Sequence, residues 1–154
     1  MKPILTRIAT GIAIVFLLAS CTTLQRMSDE QGASWVARQL NEGNAAELAA
    51  VSAAPFLLDG EIIALPEDTA VFWDGMVKAG LKLEAEVSRA APVEVDGGTW
   101  REFGSTRDVQ VFFGKYVAEG ARLFELPTVS GRRVLVLYRA SWGSRKLYGF
   151  KGPF

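Results

Sequence analysis

Apolar residues recur along this chain with helical and extended periods in turn. Ser28-Asp-Glu-Gln31 has the form of a capping box, and the run behind it carries Trp35, Val36 and Leu40 to a stop at Gly43, which predicts a helix. Asn44 with Glu47 repeats the capping pattern and opens a second short helix through Leu48 and Val51 that Pro55 must end. Two apolar runs, Phe56–Leu58 and Ile62–Leu65, flank Asp59-Gly60, a spacing that predicts a hairpin or a bulged strand. Pro66 to Asp68 starts a third helix with Val71, Phe72, Met76 and Val77 expected to face inward and Gly80 as its stop. Leu81 to Val87 alternates strictly, the pattern of a strand with one wet face.

The second half repeats this grammar. An extended segment, Pro92 to Val95, turns at Asp96-Gly-Gly98 into a further run, Thr99 to Phe103. Ser105 with Asp108 then caps the clearest helix, residues 106–118, whose Val109, Phe112, Phe113, Tyr116 and Val117 fall on one core-facing stripe ending at Gly120. Three strands close the chain: Arg122–Leu126, Arg133–Arg139 and Arg145–Lys151, separated by Ser130-Gly131 and Trp142-Gly143-Ser144. Asp68, Val71, Phe72, Val77, Gly80 and Leu83 are echoed by Asp108, Val111, Phe112, Val117, Gly120 and Leu123, each copy a helix, a glycine stop and a strand. Duplication and convergence on one local design both produce such an echo. The element order gives an α+β class, with a curved antiparallel sheet packed on N-terminal and intervening helices in one domain over 28–154.

Residues 1–21 follow a different logic. Lys2 and Arg7 precede an apolar run from Ile8 to Leu18, too short for a bilayer core that needs roughly 20 residues but suited to a secretory signal. The final four residues, Leu18-Ala19-Ser20-Cys21, resemble the lipobox of bacterial lipoproteins. That resemblance implies recognition of Leu18, Ala19 and Ser20 by the signal peptidase, removal of residues 1–20, and lipidation at Cys21 ahead of a short tether, 21–27. One acyl chain binds a membrane only reversibly, whereas three would hold the protein permanently. The residue after the cysteine is Thr22 rather than the aspartate that retains many lipoproteins in the inner membrane. The expected location is therefore the outer membrane, facing the periplasm, with the membrane itself as first partner.

Composition narrows the chemistry. The chain has no histidine and Cys21 is its one cysteine, so acylation would leave neither thiol nor imidazole. Disulfides, Cys-His and Ser-His-Asp nucleophile systems and the usual zinc sites are then excluded, and no cofactor or metal is expected. Net charge is zero, but residues 22–120 carry 8 basic and 16 acidic groups, whereas residues 121–154 carry 7 basic groups against Glu125 alone. Arg122, Arg132, Arg133, Arg139, Arg145, Lys146 and Lys151 either form a basic surface or intermix with acids around Glu84 and Glu86 across the sheet. A nucleic-acid partner is not expected in the periplasm.

No phosphate loop, metal-ligand cluster or nucleophile elbow is present. Asp59 is a candidate general base if a pocket desolvates it, with Tyr138 or Tyr148 as donor to a developing oxyanion; aspartate before glycine is also plain turn chemistry. Trp73, Phe112, Phe113, Tyr138, Trp142 and Tyr148 either line an apolar cavity or fill the core. Trp142 stands apart among Ser141, Gly143 and Ser144. With Trp73, Arg132, Arg133 and Arg145 it makes the set of candidate ligand- or partner-binding residues.

The order of elements from Asn44–Val51 through Pro55-Phe56-Leu-Leu-Asp59-Gly60-Glu61, the helix with Phe72-Trp73 and the ending Leu147-Tyr148-Gly149-Phe150 resembles the NTF2-like family, whose curved sheet wraps helices into a cone. The strong helix at 106–118 departs from the simplest form of that cone. The resemblance implies either a non-enzymatic binding or accessory protein, taking an apolar ligand or an envelope protein, or a small isomerase or hydro-lyase using a pocket carboxylate.

Overall fold

A computed structural model of the chain describes residues 31–84, 92–141 and 144–154. The lipobox, Cys21, Glu86 and Trp142 lie outside the described residues. Helix α1 covers 31–42, and α2 runs Ala45–Val51, α3 Pro66–Lys78 and α4 Arg107–Tyr116. Strands β1 Ser52–Leu58, β2 Glu61–Ile63, β3 Val93–Glu94, β4 Arg122–Pro127, β5 Arg133–Ser141 and β6 Ser144–Lys151 form one sheet in the order β2-β1-β6-β5-β4-β3. The chain is an α+β protein.

The sheet separates two apolar layers. Along β5 the alternation sends Val134, Val136 and Tyr138 to one face and Leu135 and Leu137 to the other, so the strand is buried on both sides. On the first face lie α1 with Val36 and Leu40, α2 with Leu48, and α3 with Trp73. On the second lie α4, with Val109, Phe112 and Phe113, and Phe103 from the preceding turn. The helix at 106–118 therefore covers the back of the sheet instead of sharing the first layer.

Several expectations are corrected. The sheet is mixed, because β1 pairs β6 in parallel while the remaining neighbours are antiparallel. Close approach at Gly149 serves this parallel pair, since a Cβ there would stand 2.9 Å from the Leu57 carbonyl oxygen. Pro55 sits inside β1, beyond the end of α2 at Val51. Thr99–Glu102 is a 3-10 turn, not an extended run. The Asp96 carboxylate accepts from the Gly98 and Thr99 N–H groups, which bends the chain and holds the Asp96 pKa below the usual carboxylate value. Of the alternating segment Leu81 to Val87, residues 85–87 lie outside the described residues, and in the described part Leu83 makes a bridge to Thr128. Val71 and Tyr116 are exposed, not inward. The cap of α4 is Thr106, whose side chain accepts from Val109 N–H, one residue after the expected Ser105.

Candidate functional site

A groove of about 480 Å³ lies where the end of α3 meets the β4–β5 turn, with Met76, Leu81, Val129 and Pro153 as apolar walls and Lys82 and Arg132 as cations. Its construction begins at Gly80, whose φ of 75° closes α3 with the N–H groups of Gly80 and Leu81 donating to the carbonyls of Val77 and Met76. Those carbonyls are thereby occupied, and the negative end of the helix is blunted beside the two cations. The chain then runs along the β4–β5 turn, with Val129 N–H donating to Lys82 O and Glu84 N–H to Pro127 O.

Two polar side chains fix this wall. Asn41, near the end of α1, donates through Nδ2 to Leu83 O and accepts at Oδ1 from Leu83 N–H, each at 2.9 Å, so its amide pairs Leu83 as a neighbouring strand would. Opposite, buried Thr128 holds the turn through its hydroxyl, which donates to Arg132 O and accepts from Arg132 N–H. The ammonium of Lys82 donates to Asn41 O at 2.6 Å, setting it at the rim. The Arg132 guanidinium makes no ion pair among the described residues. A groove of this size with apolar walls and a few polar groups suits a small ligand or an inserted side chain.

Other candidate residues disperse. Asp59 is exposed, has a φ of 50°, and with Gly60 at 92° forms the two-residue turn between β1 and β2. Its Oδ1 accepts from Gly152 N–H at 2.7 Å, and its own N–H donates to Phe150 O. Tyr138 and Tyr148 are buried on opposite faces of the sheet, so they cannot converge with Asp59 on one reacting atom. The Tyr138 ring instead packs on α1, where a Cβ on Gly32 would meet its Cε1 at 2.3 Å.

Trp73 is a core residue: it is fully buried, its Nε1 donates to Ser52 Oγ, and its ring meets Phe56 and Phe150 edge-on. Arg133 pairs with Glu125 across β4–β5 and stacks on Phe154, and Arg145 lies over the Trp35 ring at 5.2 Å. Arg122 pairs with Glu94 on β3. Part of the basic C-terminal region is thus intermixed with acids, Glu94 and Glu125 among the described residues, while Glu86 lies outside them. Trp142 lies outside the described residues.

Of the predicted binding residues that are described, Arg132 alone lines this groove. Sequence reasoning missed Lys82, Met76 and Asn41, which converge through long-range pairing; the Gly80 stop was the one local signal nearby. A second, apolar groove of about 390 Å³ runs between α4 and the β1–β2 hairpin, past Pro55, Ile62, Val111 and Tyr116. Among the described residues no cluster of three or more carboxylates, histidines or cysteines could hold a metal ion, and no helix is long and apolar enough to cross a membrane. No family model matches the chain, and no curated protein or solved structure gives a significant match.

Proposed function

We propose that this chain is a lipid-anchored protein of the bacterial outer membrane, held at Cys21 and facing the periplasm, with a binding task rather than a catalytic one. Its ligand is an apolar molecule or protein segment that carries an anionic group. The observation that carries the ligand class is the Arg132 groove, where two cations stand beside apolar walls on a frame fixed by Asn41 and Thr128. Support for binding over an isomerase or hydro-lyase comes from the dispersal of Asp59, Tyr138 and Tyr148 over a turn and two separate cores.

Anchoring is tested by the intact mass of the purified membrane form, expected to begin at an acylated Cys21. An unmodified amino terminus near that position would refute it. The ligand class is tested on the acylated protein in lipid nanodiscs by following the amide signals of Val129, Ser130 and Arg132. Titration with 4-phenylbutyrate is expected to shift them saturably, and the neutral 4-phenylbutanol to bind about tenfold more weakly, since a hydrogen bond to a charged group contributes about 1.5–3 kcal/mol. Arg132→Glu should abolish the difference. Equal affinity for acid and alcohol would overturn the assignment.

A further inference from the structure

The end of the β5–β6 hairpin carries a charge arrangement that folding alone does not favour. Arg139 on β5 stands directly opposite Lys146 on β6, and Ala140 opposite Arg145. Like charges facing each other across a strand pair are destabilising, and an acid at either position would have supplied a cross-strand ion pair. Neither Arg139 nor Lys146 makes an ion pair among the described residues. The alternation of β6 puts Lys146 with Arg139 on the α4 face of the sheet, while Arg145 lies on the α1 face against Trp35. Cations therefore flank the hairpin end on both sides.

This same end lies beside the first described turn of α1. Gly32, in the first turn described for α1, packs on the Tyr138 ring, and Trp35 one turn later lies under Arg145. Only ten residue steps lead from Cys21 to the first described helical residue, Gln31. At 3.3–3.6 Å per residue that span is at most about 35 Å, so an anchor at Cys21 confines this end of the sheet to the neighbourhood of the bilayer. Nine residues of β5 separate it from the opposite end, where the Arg132 groove opens.

We infer that Arg139, Arg145 and Lys146 form a membrane-facing surface that seats the β5–β6 end on anionic lipid headgroups and directs the Arg132 groove away from the bilayer. The inference rests on acylation at Cys21. Each basic residue near an anionic surface adds attraction of about 1 kcal/mol, roughly a fivefold factor, and the tether removes the concentration penalty that would make three cations too few for a free protein.

Acylation consumes the Cys21 thiol, so Ser144→Cys supplies a unique labelling site at the hairpin end and Ser130→Cys a matching one at the far end. Acylated protein labelled with an environment-sensitive fluorophore would be reconstituted into vesicles containing lipid with a headgroup nitroxide quencher. In phosphatidylglycerol-rich vesicles the label at 144 should be quenched and the label at 130 little affected. Quenching at 144 should fall at least about threefold in pure phosphatidylcholine, in R139E/K146E, and in the parent protein when salt rises from about 0.1 M to about 1 M, where the screening length drops from about 10 Å to about 3 Å. Because the salt and lipid arms use no charge variant, a folding defect in R139E/K146E cannot decide the outcome. Equal quenching at 130 and 144, or quenching at 144 indifferent to both salt and lipid charge, would overturn the orientation with anchoring intact. An unacylated Cys21 in the intact mass would remove the anchoring on which the orientation depends.

Discussion

The segments around α3 and α4 share six identical residues in the same spacing, and the comparison separates what local sequence controls from what it does not. Both form a helix with an aspartate in its first turn and are followed by a glycine in the left-handed region: Gly80 at φ 75° directly after the α3 cap Ala79, Gly120 at φ 79° three residues beyond the α4 cap Val117, where the helix has already ended. Both leave the matching valine exposed, Val71 at 71% and Val111 at 51%, and both bury the matching leucine, Leu83 and Leu123. Yet α3 covers one face of the sheet and α4 the other. In α3 the fully buried aromatic is Trp73, with Phe72 half-buried; in α4 it is Phe112, the counterpart of Phe72. Phe113, the counterpart of Trp73, is buried as well, so the buried side of α4 is widened toward Phe112 relative to that of α3. The opposing surface sets that difference: α3 meets Phe56 and Phe150 on β1 and β6, whereas α4 sits against Phe103 from the 3-10 turn.

Truncating the aromatics is the strongest way to break this comparison. Trp73→Ala and Phe112→Ala should each cost about 3–5 kcal/mol, a large share of a domain's roughly 5–15 kcal/mol, as measured by urea unfolding. Trp73→Ala also removes the donor to the Ser52 hydroxyl, though that hydroxyl keeps its bond to Leu48 O. Phe72→Ala should cost clearly less than Trp73→Ala despite occupying the position equivalent to Phe112. A Phe72→Ala loss equal to that of Trp73→Ala would mean that α3 buries as wide a side as α4 and that the echo extends to packing.

Beyond the two glycines the segments diverge further, and there the sequence pattern is least informative. After Gly120 the chain enters β4, a six-residue strand paired along its length by β5 and at Arg122 and Leu123 by β3. After Gly80 the described part of the alternating segment runs to residue 84 and makes one bridge, Leu83 to Thr128, with the opposite edge of Leu83 occupied by the side-chain amide of Asn41. Replacing Asn41 with leucine keeps the size and removes both bonds, leaving Leu83 N–H and C=O with poor access to water. The expected loss is about 2 kcal/mol, together with loss of amide-exchange protection at Leu83 but not at Leu123. Unchanged protection at Leu83 would show that the Asn41 amide does not hold this segment.

The helices, the Gly80 stop, the Asp59-Gly60 hairpin and the three final strands were legible because each is written in neighbouring residues: periodicity, capping residues and turn pairs act over a few positions; α4, by contrast, ends at Tyr116, ahead of the expected Gly120. Three features were not legible. The parallel β1–β6 pair joins residues more than ninety positions apart, such as Leu57 and Gly149, and depends on the missing side chain of Gly149. The Thr99–Phe103 run looked extended because its apolar spacing fits a strand, but the Asp96 carboxylate turns its start. The Arg132 groove joins Asn41, Lys82 and Thr128, residues from three distant stretches, and only Arg132 stood out in the sequence, through its charge.

The glycine pair offers the smallest and sharpest test. At Gly80 an added Cβ meets nothing within 4 Å, and at Gly120 the nearest atom is Arg139 Nε at 3.9 Å. Gly80→Ala and Gly120→Ala thus probe backbone conformation with almost no steric contribution, and the left-handed region costs an L-residue roughly 1–2 kcal/mol. Both variants should lose about 1 kcal/mol, equal within the error of the measurement, because φ is nearly the same at both. Gly80→Ala carries an additional expectation, since its left-handed turn aims Leu81 and Lys82 along the groove: affinity for 4-phenylbutyrate should fall, while Gly120→Ala leaves it unchanged. Equal loss of affinity in the two variants would detach the groove from the turn that builds its wall.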